Sequence, residues 1–393
     1  MKIDFNNTKI AFAYLSNSEL KGRYIMFKLI NNKYLAKVSV YLAGIGLKLR
    51  LPIKGIIKNS VFKYFCGGET LEECKQVEHR LSKYNVGSIL DYSSEGKGTD
   101  SDFDATTNEV IKTINNATSN KDVPFAVFKF TGIAPLTLLE KMQSGQNLNN
   151  CELAAKARFL LRFEKICQTA YNNSVRVMID AEETWIQEII DVMTLSAMRK
   201  YNKSDAIIIN TYQFYIKKTI NVFQEHLKAA KEEKFILGAK IVRGAYIEKE
   251  TIRAQEKSYP IPVYSTKAKT DTAYNKAIEI SINNINNMVL VAGTHNEKSC
   301  YILTDLITKK NLQNLDSIYI GQLYGMGDSL TFNLANAGLK AAKYVPYGPV
   351  EKAFPYLVRR VDENTSVAGQ MNREAIMLKQ ELVRRKQKDR VSS

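Results

Sequence analysis

The sequence predicts an α/β chain folded as a (β/α)8 barrel behind an N-terminal helical arm. Three observations carry this: eight short apolar runs, helical-period segments between them, and a polar or aromatic residue at the end of each run. The runs are VGSIL before Asp91, FAVFKF at 125–130, VRVMI before Asp180, AIIIN at 206–210, ILGAKIVRG at 236–244, MVLVAG at 288–293, DSIYIG at 316–321 and AAKYVP at 341–346. Their short length and apolar, β-branched content suit strands. CELAAKARFLLRFEKICQTA and EETWIQEIIDVMTLSAMRKY repeat apolar residues at three and four and are long enough for crossover helices.

In order, the run ends offer Asp91 with Glu95, Lys129, Asp180, Asn210, Lys240 with Arg243, His295, Gln322 and Tyr344. In a closed barrel the C-terminal strand ends make one face, where ligands bind. Singly each is as well explained by capping or packing; Asp180, for instance, suits an N-cap before EETWIQ. The polar stretch 93–122 leaves the first strand on that face and reads as a lid with one short helical stretch at most. Residues 1–80 form the helical arm, 81–375 the barrel and 376–393 a basic tail.

The closing stretch YVPYGPVEKAFPYLVRRVDEN sets Tyr356, Arg359, Arg360 and Glu363 on one face of a helix from Val350 to Asp362. Such a face is either a solvated basic surface or a pocket for a carboxylate.

The chain has 393 residues, 45% apolar and 24% charged, which is the composition of a globular core, with a formal charge of +16. That charge points to anionic surroundings: a phosphorylated cofactor, acidic substrates, nucleic acid or lipid headgroups. An RNA-binding reading has no aromatic residues interleaved with a basic stripe, so no nucleic acid is expected. Five scattered cysteines without C-x-x-C suit a reducing compartment. No targeting segment is read at the N-terminus, and a cytoplasmic location is expected, with possible peripheral membrane contact. The stretch VSVYLAGIGLKLRLPIKGIIKNSVFKYF is broken by Lys48, Arg50, Lys54 and Lys58; it reads as a packed arm, or as a basic amphipathic element lying on a membrane.

Several chemistries lack their parts. His79, His226 and His295 are not at ligand spacing, so no metal site is expected. There is no G-x-S-x-G elbow and no phosphate-binding G-x-x-x-x-G-K-[ST] loop, and GIGLKLR and YGMGDSL lack the third glycine of a dinucleotide fingerprint. What remains is a face rich in Lys129, Lys240, Arg243, Lys267, Arg359 and Arg360, threaded with amides and hydroxyls. It suits a large phosphorylated organic cofactor with a carboxylate substrate, or a Schiff-base lysine at Lys129 or Lys240.

FAVFKFTGIAP, VMIDAEETW, IINTYQFY, AKIVRGAYIEKE, PVYSTK, AGTHN, GQLYGMGD and YVPYGPVEKAFPYLVRRVDEN, in this order, resemble the proline dehydrogenase family from about Gly87 to Ser366. The resemblance implies a distorted (β/α)8 barrel of TIM type, non-covalent FAD, oxidation of L-proline to Δ1-pyrroline-5-carboxylate, and electron transfer to a membrane quinone. It implies that Lys129, Arg359 and Arg360 grip the proline carboxylate while Asp180 orients that cationic group. Tyr246, Leu323, Tyr344 and Tyr356 would wall the ring. Asn210, Lys240, Val242, Arg243, Gly244, Tyr264, Ser265, Lys267, Thr294, His295, Asn296, Gln322, Glu363 and Ser366 would line the FAD, and Glu95 would be the lid partner of Arg359. Lys240 and Arg243 stand exchanged relative to bifunctional bacterial members, and Asn210 replaces Gln, as in the monofunctional branch. Family members that prefer hydroxyproline are expected to carry a smaller residue than Tyr344, so proline is the expected substrate.

Overall fold

The computed structural model describes residues 3–93, 98–366 and 370–392, with side chains at all of these except 33, 361–366, 370–372 and 389–392. Eight strands close into a barrel in chain order. They are β1 (Val86–Tyr92), β2 (Phe125–Phe128), β3 (Arg176–Ile179), β4 (Ile208–Gln213), β5 (Leu237–Val242), β6 (Met288–Gly293), β7 (Ile318–Leu323) and β8 (Ala341–Tyr347). Each predicted run yields one strand. Asp91 and Gln322, expected just after their runs, lie within β1 and β7.

The chain divides into two compact units, Met1–Ser93 with Gly321–Ser393, and Ser94–Ile320. In the second unit β2 to β6 pair in parallel, with Ile179 opposite Asn210 and Thr211 opposite Lys240. Val177, Met178, Ile179, Ile208 and Ile209 are buried, as strands covered on both faces require. Helix Asn150–Asn172 opens with an Asn149–Glu152 capping box and buries Phe159, Phe163, Ile166 and Ala170, spaced four, three and four apart.

The polar stretch after β1 holds a 20-residue helix, Asp100–Ser119, not a short turn of helix at most. Its Thr107, Thr113 and Thr118 hydroxyls donate to carbonyls four residues back, so groups that favour loops are satisfied inside the helix. Phe103, Val110 and Ile114 supply the buried stripe. Arg158 and Arg162 tie its first turn down through Asp100, and Arg162 also takes Asp104.

In the first unit β1 pairs with β8 from Val86–Ala341 to Tyr92–Tyr347. A buried charged cluster lies at its centre. Asp328 accepts from Arg23 at 2.8 Å and from the Tyr14 hydroxyl at 2.6 Å, and pairs with Lys343 at 2.8 Å. Burial opposes ionisation of Asp328, but the charges of Lys343 and Arg23 outweigh it and hold the carboxyl below its usual range. Burial and the charge of Asp328 push the Glu374 carboxyl up to about 7. Helix Gln370–Ser392 runs without a break through 376 and packs on helix Asn17–Ile30. From it Glu381 receives the Thr8 hydroxyl and both Arg384 and Arg385, while Arg385 also donates to the Leu15 and Phe12 carbonyls.

Candidate active site

In the second unit the strand order places Asp180, Asn210 and Lys240 on neighbouring positions. Lys240 Nζ lies 2.6 Å from Asp180 Oδ1, and the two side chains are 10% and 12% exposed. Asn210 is buried on β4 between them in register; its Nδ2 donates to Asp191 Oδ1 at 2.8 Å. Asn210 Oδ1 is buried with no hydrogen-bond partner among the described residues. A lone buried acceptor of this kind awaits a donor. Asp191 also receives Gln187, and burial pushes its carboxyl up to about 6 against the pull of both amides.

Lys129 follows β2, half-buried, at the start of a single 3-10 turn. Beside it Glu182 is buried, accepting the Thr131 backbone N–H at 3.0 Å and the Thr131 hydroxyl. Burial raises the Glu182 carboxyl to about 7, although the Thr131 hydroxyl and the charge of Lys129 pull it down.

The remaining second-unit residues form two clusters. Arg243 donates to Asp271 at 2.6 Å, to Thr294 Oγ1 at 2.8 Å and to Ser299 Oγ at 2.8 Å, and stacks over Tyr274. Lys267 reaches the other oxygen of Asp271, Thr294 Oγ1 also accepts from Asn296 N–H, and Asn296 caps helix Glu297–Lys309. Half-buried His295 stands between Thr294 and Asn296. The second cluster surrounds Tyr215. It receives the Tyr264 N–H on its carbonyl, and Tyr246 packs against Tyr215, Ile216 and Val263. Val242 accepts from Phe214 N–H, and exposed Ser265 follows Tyr264. Gly244 has φ +132°, and a Cβ there would come 2.1 Å from the Tyr215 ring, so only glycine lets the chain pass.

In the first unit Gln322 is buried on β7 and its Oε1 accepts the Thr331 hydroxyl at 2.8 Å. Leu323 and Tyr344 are half-buried, and the Tyr344 carbonyl accepts Tyr324 N–H. Helix Val350–Ser366 carries the arginine pair and runs four residues past its expected end at Asp362. Buried Arg360 sits over the Tyr356 ring at 5.1 Å, and Arg359 is half-buried beside it. Glu95 and the side chains of Glu363 and Ser366 lie outside the described residues.

Sequence reasoning missed Glu182 and Asp191. The first was visible only as the second carboxylate of DAEE. The second lies on the buried side of a helix whose pattern gave no reason to single it out. No group of metal-binding residues appears among those described.

The proline dehydrogenase family model matches residues 74–373. The chain is 34% identical, over 98% of its length and 75% of the relative's, to "Proline dehydrogenase 1, mitochondrial" of Dictyostelium discoideum. It is 32% identical, over 84% of its length and 86% of the relative's, to the carbapenem antibiotics biosynthesis protein CarD of Pectobacterium carotovorum subsp. carotovorum. Among solved structures, proline utilization A from Bdellovibrio bacteriovorus inactivated by N-propargylglycine shares the fold with a TM-score of 0.71 and 16% identity. That match covers 91% of this chain but 38% of the other. With the family model spanning most of the chain and two relatives above 30% identity along most of their length, the chain belongs to the proline dehydrogenase family, barrel oxidoreductases of proline catabolism.

Proposed function

We propose that this chain oxidises L-proline to Δ1-pyrroline-5-carboxylate with FAD as its cofactor. The described residues suit a flavin. Asn210 offers a buried acceptor with no donor among the described residues, for a ring N–H, and Asp191 fixes its orientation by accepting from the amide nitrogen. Lys240 offers a desolvated cation and Arg243 a braced one. FAD, when bound, would supply the redox chemistry, hydride acceptance from proline with onward electron transfer to a membrane quinone.

Lys129, Arg359 and Arg360 are the carboxylate grip. Charge-assisted hydrogen bonds are worth about 1.5–3 kcal/mol each, and several together fix the orientation of the substrate as well as its affinity. Holding the ring still between Tyr246, Leu323, Tyr344 and Tyr356 presents the carbon beside nitrogen in one pose, which is catalysis by positioning. Asp180 holds Lys240 in place, so that its charge stabilises negative charge developing nearby at no cost of reorganisation. Val242, Gly244, Tyr264, Ser265, Lys267, Thr294, His295, Asn296, Gln322, Glu363 and Ser366 would complete the cofactor lining, and Glu95 would be the lid partner of Arg359.

The observation that carries the reading is the buried trio at three adjacent strands, Asp180 just after β3 and paired to Lys240 on β5, and Asn210 on β4 with an acceptor unmet among the described residues. Purified protein is expected to be yellow, and anaerobic L-proline is expected to bleach its flavin absorbance. A colourless preparation that takes up no added FAD, or a flavin that proline leaves oxidised, refutes it. Peripheral contact with an anionic membrane surface would bring the site to its quinone.

A further inference from the structure

Helix Lys33–Lys48 is inside out. Its small residues face the protein: Ala36 is buried, a Cβ on Gly44 would touch Phe354 at 3.6 Å, and one on Gly46 would come 2.4 Å from Ile53. Its large apolar residues face outward. Tyr34, Leu35, Val38, Tyr41, Leu42 and Ile45 are exposed, at 86% for Tyr34 and 68% for Tyr41, and so is Leu49 just past its end. At 3.6 residues per turn these seven fall within an arc of about 120°. Leu51 and Ile56 beyond the helix are exposed as well. A face this apolar is rarely left to water.

Charge identifies the occupant. Between Glu19 and Glu69 the chain has ten lysines and arginines and no carboxylate. Lys37 and Lys48 are exposed along one edge of the apolar stripe, with Arg50 and Lys54 just beyond the helix. Two tyrosines on the stripe suit the depth of lipid headgroups. No helix among the described residues is long and apolar enough to cross a membrane. We infer that helix Lys33–Lys48 and the residues to Ile56 lie flat in the headgroup region of an anionic bilayer, apolar side down and lysines at the phosphates.

This names the surface for the membrane contact of the proposed function, and rests on that contact. The same helix packs on helix Val350–Ser366, which carries Arg359 and Arg360, and Lys54 pairs with Glu351 at the start of that helix. The docking element and the proposed substrate-gripping element are thus direct neighbours.

The test uses full-length flavin-loaded protein and co-sedimentation with phosphatidylcholine vesicles, with and without phosphatidylglycerol, at low and high salt. Binding is expected only with phosphatidylglycerol and to weaken in salt. Leu35→Glu with Leu42→Glu should lower the partition coefficient about tenfold for each leucine. Lys37→Glu with Lys48→Glu should weaken binding mainly at low salt. Proline oxidation with a soluble dye should stay unchanged in every variant, which shows that each is folded. Native protein that stays in the supernatant, or leucine variants that sediment as before, would overturn the inference. So would variants whose only change is loss of self-association in light scattering, which would assign the face to a second copy of the chain. Vesicle binding by protein that cannot oxidise proline upholds the surface and sinks the catalytic reading instead.

Discussion

Replacing Lys240 by Met tests the buried ion pair directly. The methionine keeps the length of the side chain and removes its charge, leaving the Asp180 carboxylate without its ammonium. At 2.6 Å and an effective dielectric near 20, the gross attraction is about 6 kcal/mol. Desolvating two ions offsets most of that, so the pair adds little net stability, yet breaking it by one substitution costs about 3–5 kcal/mol. Asp180→Leu combined with Lys240→Met removes both charges and is expected to fall within about 2 kcal/mol of the native chain. Urea midpoints of the four members, measured on flavin-free protein so that cofactor loss does not enter, close a double-mutant cycle. A coupling of roughly 3 kcal/mol or more is expected. Singles that add up to the double would refute the claim that the two charges hold each other in place.

Arg359→Ala and Arg360→Ala should each raise the KM for proline by roughly ten- to a hundredfold while flavin content stays unchanged; steady-state kinetics with an unaltered KM would remove the carboxylate role. Gly244→Ala should cost several kcal/mol in the urea midpoint, on the order of a severe backbone clash, since its Cβ would enter the Tyr215 ring at a φ of +132°; a native midpoint would contradict the close approach. Glu182 titrates at about 7 in the folded chain, above its ordinary range. A raised carboxyl contributes stability below its unfolded pKa that is lost as pH rises through the folded one. Stability should therefore decline toward pH 8, and Glu182→Gln should flatten this slope by on the order of 2–3 kcal/mol; an unchanged pH profile of the melting temperature would refute it.

The barrel was legible because its strands are apolar on both faces and its helices are not, so the hydrophobic period changes eight times along the chain. MVLVAG was placed to the residue, since β6 has a polar boundary at each end. AIIIN was not: β4 begins at Ile208 and runs on through Gln213, because Thr211 and Tyr212 extend the strand with side chains that look like loop. Helix Asp100–Ser119 was hidden for the converse reason, its threonines being satisfied within the helix. Lys240, Arg243 and Asn210 could be named from the residues that resemble the family, but their partners Asp180, Asp271 and Asp191 lie 60, 28 and 19 positions away. Chain order says which groups exist, and tertiary pairing decides which of them are braced. Glu182 shows the limit most clearly: only burial separates it from the ordinary surface acid it resembles in the sequence.

Arg23 and Asp328 stand 305 positions apart and meet in the interior. During synthesis the guanidinium therefore leaves the ribosome long before its counter-ion exists, and Lys343 and Glu374 emerge later still. The first unit must remain open until almost the whole polypeptide has been made. A ribosome stalled ahead of position 328 would release a product with a stranded positive charge at its intended centre, a ready substrate for quality control.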